Sequence, residues 1–263
     1  MRESSGDGTG STATAVTRVD VQVTVLDERV AARATARGLD ALVYAPPFTR
    51  LATVERRAAR FDGGDLTVIP GREVVVGPPG ARRRLLAVGL ASPVPDFLTL
   101  NGAVSELDRQ GAAILAISPG AAGGLSRAEI DAHAPEIDAV QTYNASLSPR
   151  RNRAAGRIAA ASGHPGFGAS GARRRGTVGE AWTAFDRPIA GTADLVAAFR
   201  EGAPRRTMRR RGLAHRARAA AEYGHRLYDR TWRRLERAYL SAMVPTHPDS
   251  VAYGGRFDEY KAL

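Results

Sequence analysis

From Arg18 onward, short apolar runs alternate with amphipathic stretches, the pattern of repeated strand-then-helix units. Val19, Val21 and Val23 alternate within Thr17 to Thr24 and predict a strand, after which Asp27 opens an Ala/Arg-rich helix that Gly38 closes. Ala41 to Tyr44 reads as a second strand, Leu51 to Arg60 as a helix, and Leu66 to Ile69 as a third strand running on to Glu73. Val74 to Val76 and Leu85 to Val88 flank Gly77-Pro78-Pro79-Gly80, which predicts a hairpin or short excursion. A helix from about Phe97 to Arg109 follows. Ile114 to Ile117 and Ala139 to Tyr143 are buried-strand candidates with a helix, Ser126 to Ala132, between them. Arg150 to Ala161 predicts a helix, Gly166 to Ser170 and Glu180 to Phe185 strands, and Ala193 to Arg200 a last helix. About seven units result, which suits an α/β barrel, with an open doubly wound sheet as the alternative.

After Pro204 the pattern changes. Residues 205–237 hold 12 arginines against Glu222, Asp229 and Glu236, while Leu213, Ala217, Ala220, Gly224, Leu227, Thr231, Leu235 and Ala238 recur at three- and four-residue steps. This predicts a basic helical arm docked along one apolar stripe, ended by Pro245 and Pro248. The expected organisation is a disordered tail at 1–16, a barrel at 17–203, the arm at 204–244 packed on it, and an extended surface tail at 245–263. Tyr223, Tyr228, Trp232 and Tyr239 are interleaved with the arm's arginines, either as stacking platforms for bases or as packing against the barrel.

Composition narrows the chemistry. The chain of 263 residues has no cysteine, which removes disulfides, thiolate metal sites and cysteine nucleophiles together. Only five histidines remain as imidazole donors: His133, His164, His215, His225 and His247, each expected at a surface or capping position. The formal net charge is +11, and all basic residues but Lys261 are arginine, so anionic partners are favoured, phosphate-containing small molecules or nucleic acid among them. Arg209, Arg210 and Arg211 are the candidate nucleic-acid contacts. No apolar run reaches membrane-spanning length and the first fifteen residues are rich in Gly, Ser and Thr, so a cytoplasmic protein without a membrane partner is expected. Gly166 to Gly171 matches a dinucleotide-binding spacing but lacks the acidic residue such a unit needs, and no Walker-type Gly-Lys-Ser/Thr occurs.

Chemistry in a barrel hangs from the C-terminal ends of its strands. There the chain carries Asp20-Val21-Gln22-Val23-Thr24, Val43 to Thr49 with Pro46-Pro47, Pro70-Gly71-Arg72-Glu73-Val74, Arg84 to Gly89, Ile117-Ser118-Pro119, Val140 to Asn144 and Gly168 to Arg173. In order and placement these segments resemble the ligand motifs of the PHP (polymerase and histidinol phosphatase) family. The resemblance implies a distorted (β/α)7 PHP-type barrel, descent from metal-dependent phosphoesterases, and up to three divalent ions held by His and carboxylate ligands.

Measured against those motifs, Asp20 and Glu73 keep metal-ligand chemistry. Gln22, Thr24, Pro47, Ser118, Gln141 and Gly171 stand where ligands are expected, as do Pro46, Arg84 and Arg173. The resemblance therefore implies lost or weakened metal binding and no cofactor, unless the ligand loss is misjudged and manganese, zinc or magnesium still binds. Three outcomes stay open. Arg84 and Arg173, with Arg72, bind a phosphate in place of the metals; or they are ion-paired to Asp20 and Glu73 in a silent cleft; or a divergent metal-dependent phosphoesterase survives.

Overall fold

The computed structural model describes residues 16–78, 80–225, 244–250 and 253–262. The predicted residues 1–15 of the tail and the arm from Arg226 to Met243, with Tyr228, Trp232 and Tyr239, lie outside the described residues.

Nine strands form one sheet in the order β7-β6-β5-β4-β3-β2-β1-β8-β9. They are β1 (Thr17–Val23), β2 (Ala41–Tyr44), β3 (Thr67–Val76), β4 (Arg83–Val88), β5 (Ala113–Ala116), β6 (Ala139–Asn144), β7 (Gly166–Ala169), β8 (Ala181–Phe185) and β9 (Arg205–Arg209). Helices α1 (Glu28–Ala36), α2 (Leu51–Ala59), α3 (Leu100–Arg109), α4 (Arg127–Ala132), α5 (Pro149–Ser162) and α6 (Thr192–Arg200) cover the outside. Their starts follow local chemistry: Asp27, Thr99 and Ser148 cap first-turn N–H groups, and Ser126 with Glu129 forms a reciprocal capping box.

The sheet is mixed. β1, β2 and β3 run parallel, as do β5, β6 and β7, while β4 runs antiparallel to both its neighbours, so the expected hairpin around Gly77 is present. The ends of the curled sheet meet through side chains. Thr183 Oγ1 accepts from Gly168 N at 3.0 Å and donates to Gly168 O at 2.8 Å, and Thr142 and Thr207 hydroxyls lie 2.9 Å apart. Thr24 N donates to Ala172 O, which closes the seam at the mouth. Inside lie Val19, Val21, Val43, Ile69, Leu86, Leu115, Phe167 and Phe185, with Phe199 of α6 plugging the floor. The fold is thus α/β with a nearly closed barrel.

Two expectations fail at the C-terminal end. Residues 205–209, predicted to be helical, form β9 on β8, with Phe185 opposite Arg205 and Ala181 opposite Arg209. The arginine guanidiniums are the reason: that of Arg205 stacks on Phe199 at 4.8 Å and that of Arg209 on Tyr143 at 4.9 Å, so residues that count as polar in a helical pattern cover rings on a strand. Helix begins only at residue 213. The tail is not a surface segment either: Thr246 and Phe257 are buried, and Lys261 bridges to Leu98 beside β3.

Candidate functional site

The mouth of the barrel is built where β1, β2, β3, β5, β6 and β7 end and β4 begins. Three residues other than glycine hold left-handed backbone there, Phe48 (φ 55°), Phe97 (φ 64°) and Ser118 (φ 51°). Strain of this kind, about 1–3 kcal/mol for each residue, collects at functional sites.

Strand register decides which predicted residues meet. Val75 pairs with Arg84 and Glu73 with Leu86, so Arg84 and Glu73 are diagonal neighbours on the inner face. The Arg84 guanidinium donates to Glu73 Oε2 at 3.2 Å, and the carboxylate is fully buried. Arg72, one residue earlier, falls on the opposite face, where it is 1% exposed and pairs with Asp96 at 2.6 Å. The candidate phosphate contact at Arg72 is therefore corrected: it is a structural ion pair, and Thr246 Oγ1 donates to the same Asp96.

A register shift in β1 moves Asp20 away from Glu73. Asp20 pairs with Leu42 and Val23 with Tyr44, leaving Val21 and Gln22 together opposite Val43, so the simple alternation of Asp20, Gln22 and Thr24 is broken. Asp20 accepts from Ser170 N and Gly179 N, each at 2.9 Å, and Thr24 Oγ1 donates to Ala172 O at 3.1 Å. Gln22 turns inward, and its amide donates to Glu73 Oε1 at 2.6 Å.

Around Glu73 the side-chain amides of Gln22, Gln141 and Asn144 are joined to one another. Gln22 Oε1 accepts from Gln141 Nε2 and Asn144 Nδ2, both at 3.0 Å. Gln141 Oε1 accepts from Ser118 N at 2.9 Å and from Asn144 Nδ2 at 3.0 Å. Asn144 Oδ1 in turn accepts from Ser146 N and Oγ. Pro47 contributes only its carbonyl, to Thr49 Oγ1. Each bridging amide oxygen thus already carries two hydrogen-bond donors, and the positive charge nearest the carboxylate is a guanidinium. Such a set does not fit a zinc or manganese ion, which needs imidazole or carboxylate lone pairs. Among the described residues no three His, Asp or Glu side chains gather.

Burial raises the Asp20 carboxyl from 3.8 to about 6, against the hydrogen bonds from Ser170, Gly179 and Gln22 that lower it. The folded state then holds a proton that the unfolded chain has released, so Asp20's contribution to stability falls as pH rises from about 4 to about 6 and levels off above. Urea midpoints across that range should decline in the native chain, and Asp20→Asn should remove this part of the slope.

Gly171 holds φ 61°, and a Cβ there would stand 2.3 Å from Asn144 Oδ1. Gly171→Ala is expected to destabilise the fold by about 2 kcal/mol or more, read by denaturant unfolding, because both the left-handed backbone and the amide cluster oppose it.

Arg173 is held by its backbone N–H, which donates to buried Glu222 at 2.9 Å under the helix of residues 213–225. That helix also carries His215, expected at the surface but buried here: Nδ1 lies 2.7 Å from Glu180 and Nε2 3.1 Å from Tyr143 Oη. Of the candidate nucleic-acid arginines, Arg209 stacks on Tyr143, Arg210 donates to Gly179 O and Arg37 O, and Arg211 is exposed. Sequence reasoning assigned no role to two mouth residues. Asn144 ties the amides together, a role signalled by a second buried polar residue at the end of an apolar strand. Arg82 stacks on Phe97 at 4.9 Å with its Nε buried and without a partner, next to Phe48, whose ring stacks on Phe97 at 6.0 Å. Burial lowers the Arg82 pKa. Arg82 lies just before β4, whose first residue, Arg83, reaches outward to Glu129.

Residues 149–204 match the family described as PHP-associated. No curated protein matches the chain. Among solved structures, PsfC from Pseudomonas syringae superposes with a TM-score of 0.60 at 16% identity, over 82% of this chain and 99% of that one. Endonuclease Q bound to a 27-mer duplex substrate with an abasic lesion at the active site gives 0.52 at 12% identity, over 73% of this chain and 58% of its own. The lesion-specific endonuclease PfuEndoQ from Pyrococcus furiosus gives 0.50 at 12% identity, over 74% and 58%. At these identities the likeness is one of fold. The PHP resemblance read from the sequence is thus shared by the matched segment, residues 149–204. No helix among the described residues is long and apolar enough to cross a membrane.

Proposed function

We propose that this chain, a PHP-type barrel with a PHP-associated segment, is a phosphate-binding relative of the metal-dependent phosphoesterases whose mouth works without a metal centre. One observation carries the reading: Arg84 occupies the Glu73 carboxylate from one side while the Gln22 amide occupies it from the other. A guanidinium supplies there the positive charge that a metal ion supplies to a phosphoryl oxygen, but it generates no hydroxide. Arg82, stacked on Phe97 with its Nε free of hydrogen bonds, adds a second cation beside the mouth, and Arg173 is the further candidate on the β7 side. Guanidiniums of this kind at the mouth suit a phosphate monoester or a nucleic-acid end.

Calorimetry with inorganic phosphate tests this, run beside hydrolysis of p-nitrophenyl phosphate with manganese, zinc or magnesium. The expected result is saturable phosphate binding that falls about tenfold in Arg82→Gln, the loss of one charge-assisted contact, without turnover. Metal-dependent turnover abolished by Glu73→Gln would instead identify an active phosphoesterase.

A further inference from the structure

A second cationic surface lies outside the Glu73 network. An open groove of about 690 Å³ is bordered by α1, α2 and the turn after β7, with Arg29, Arg56, Arg57, Arg60 and Arg175 facing Asp27 and Glu28. Two of these cations are neutralised: Arg60 lies 3.4 Å from Glu28 and Arg175 2.6 Å from Asp27. The other three have no ion-pair partner among the described residues. Arg57 is fixed, donating Nε and Nη2 to Leu26 O at 2.9 and 2.6 Å, and Arg56 Nε donates to Ala52 O at 3.2 Å. Main-chain carbonyls hold these guanidiniums in place without cancelling their charge. Arg29 is exposed beside them in the first turn of α1.

We infer that this groove binds closely spaced phosphates, from a free oligophosphate or from the phosphodiester backbone of a nucleic-acid strand. Three observations support it. Arg29, Arg56 and Arg57, none with an ion-pair partner among the described residues, line the same groove. Two of the three, Arg56 and Arg57, are held by main-chain carbonyls, so little of their side-chain freedom is lost when an anion arrives. The volume matches a ligand-sized cleft, and Phe61, half-buried with Arg60 stacked at 5.4 Å, offers a ring face at its edge. The inference does not rest on the reading of the mouth.

The test uses the full chain with two probes, tripolyphosphate and a labelled single-stranded oligothymidylate, at about 50 and 200 mM salt. Arg29→Gln/Arg56→Gln/Arg57→Gln is compared with Arg209→Gln/Arg211→Gln, which removes charge at a different face. Because Arg57 also bonds the chain at Leu26, Arg29→Gln/Arg56→Gln serves as a second groove variant, with thermal unfolding checked for each. The groove variants are expected to lose about tenfold in affinity at low salt, and the strand's salt slope should flatten by roughly 0.7 for each contact removed. Groove-dependent binding of tripolyphosphate alone names a compact oligophosphate; groove-dependent binding of the strand names a nucleic-acid backbone. Binding of neither probe, or equal losses in the groove and β9 variants, overturns the inference.

Discussion

Arg84→Gln is expected to lower the thermal midpoint by roughly 10 °C, the equivalent of about 3 kcal/mol in a domain of this size. The variant leaves the Glu73 carboxylate buried with its hydrogen bond from Gln22 but without the cation at 3.2 Å. The reverse substitution should be milder. Glu73→Gln keeps an acceptor for Gln22, and the Arg84 side chain it strands is 16% exposed and can turn toward water. The double variant should recover most of what Arg84→Gln loses, because the amide network then holds no charge. If the two single variants are equal, or the double variant is the sum of both, Arg84 is not the counter-ion of Glu73.

The second large effect concerns the pair that the mouth does not use. Asp96→Ala should cost about 4 kcal/mol, since it strands Arg72 in a site 1% exposed and removes the acceptor for Val75 N at 2.8 Å. Burial pushes the Asp96 carboxyl upward even with Arg72 beside it, a sign of how dry the site is. Thr246 shares this carboxylate, and Asp96 N donates to Thr246 O at 2.9 Å, so the loss should also loosen the C-terminal segment. Trypsin cleavage after Arg256 is the readout, expected to quicken in Asp96→Ala and to return toward the native rate in Arg72→Met/Asp96→Asn. Unchanged cleavage would show that the segment is held by Tyr253 and Phe257 alone.

The barrel was legible because its strands and helices follow period-two and period-3.6 patterns with explicit caps: β2, Ala41–Tyr44, has the predicted bounds, and Ser126 caps α4 at the predicted helix start. The strand at 205–209 was not, because an arginine that covers a ring and an arginine in water look the same in a pattern. At the mouth, the resemblance to PHP motifs pointed to Glu73 and Arg84 but not to their link with Gln22, which depends on the register shift in β1. Arg72 misled for a related reason: adjacent strand residues serve opposite faces, and only the phase of β3 shows which one looks inward. Asp20 kept a carboxylate, yet the same shift assigns it to the backbone of the β7–β8 connection.

Equilibrium dialysis of the chelator-treated chain against manganese or zinc, with Glu73→Gln alongside, puts the guanidinium-for-metal exchange to the most direct trial. The account predicts that neither ion is retained above the level seen with Glu73→Gln. Retention of one or more ions per native chain, lost in Glu73→Gln, would contradict it.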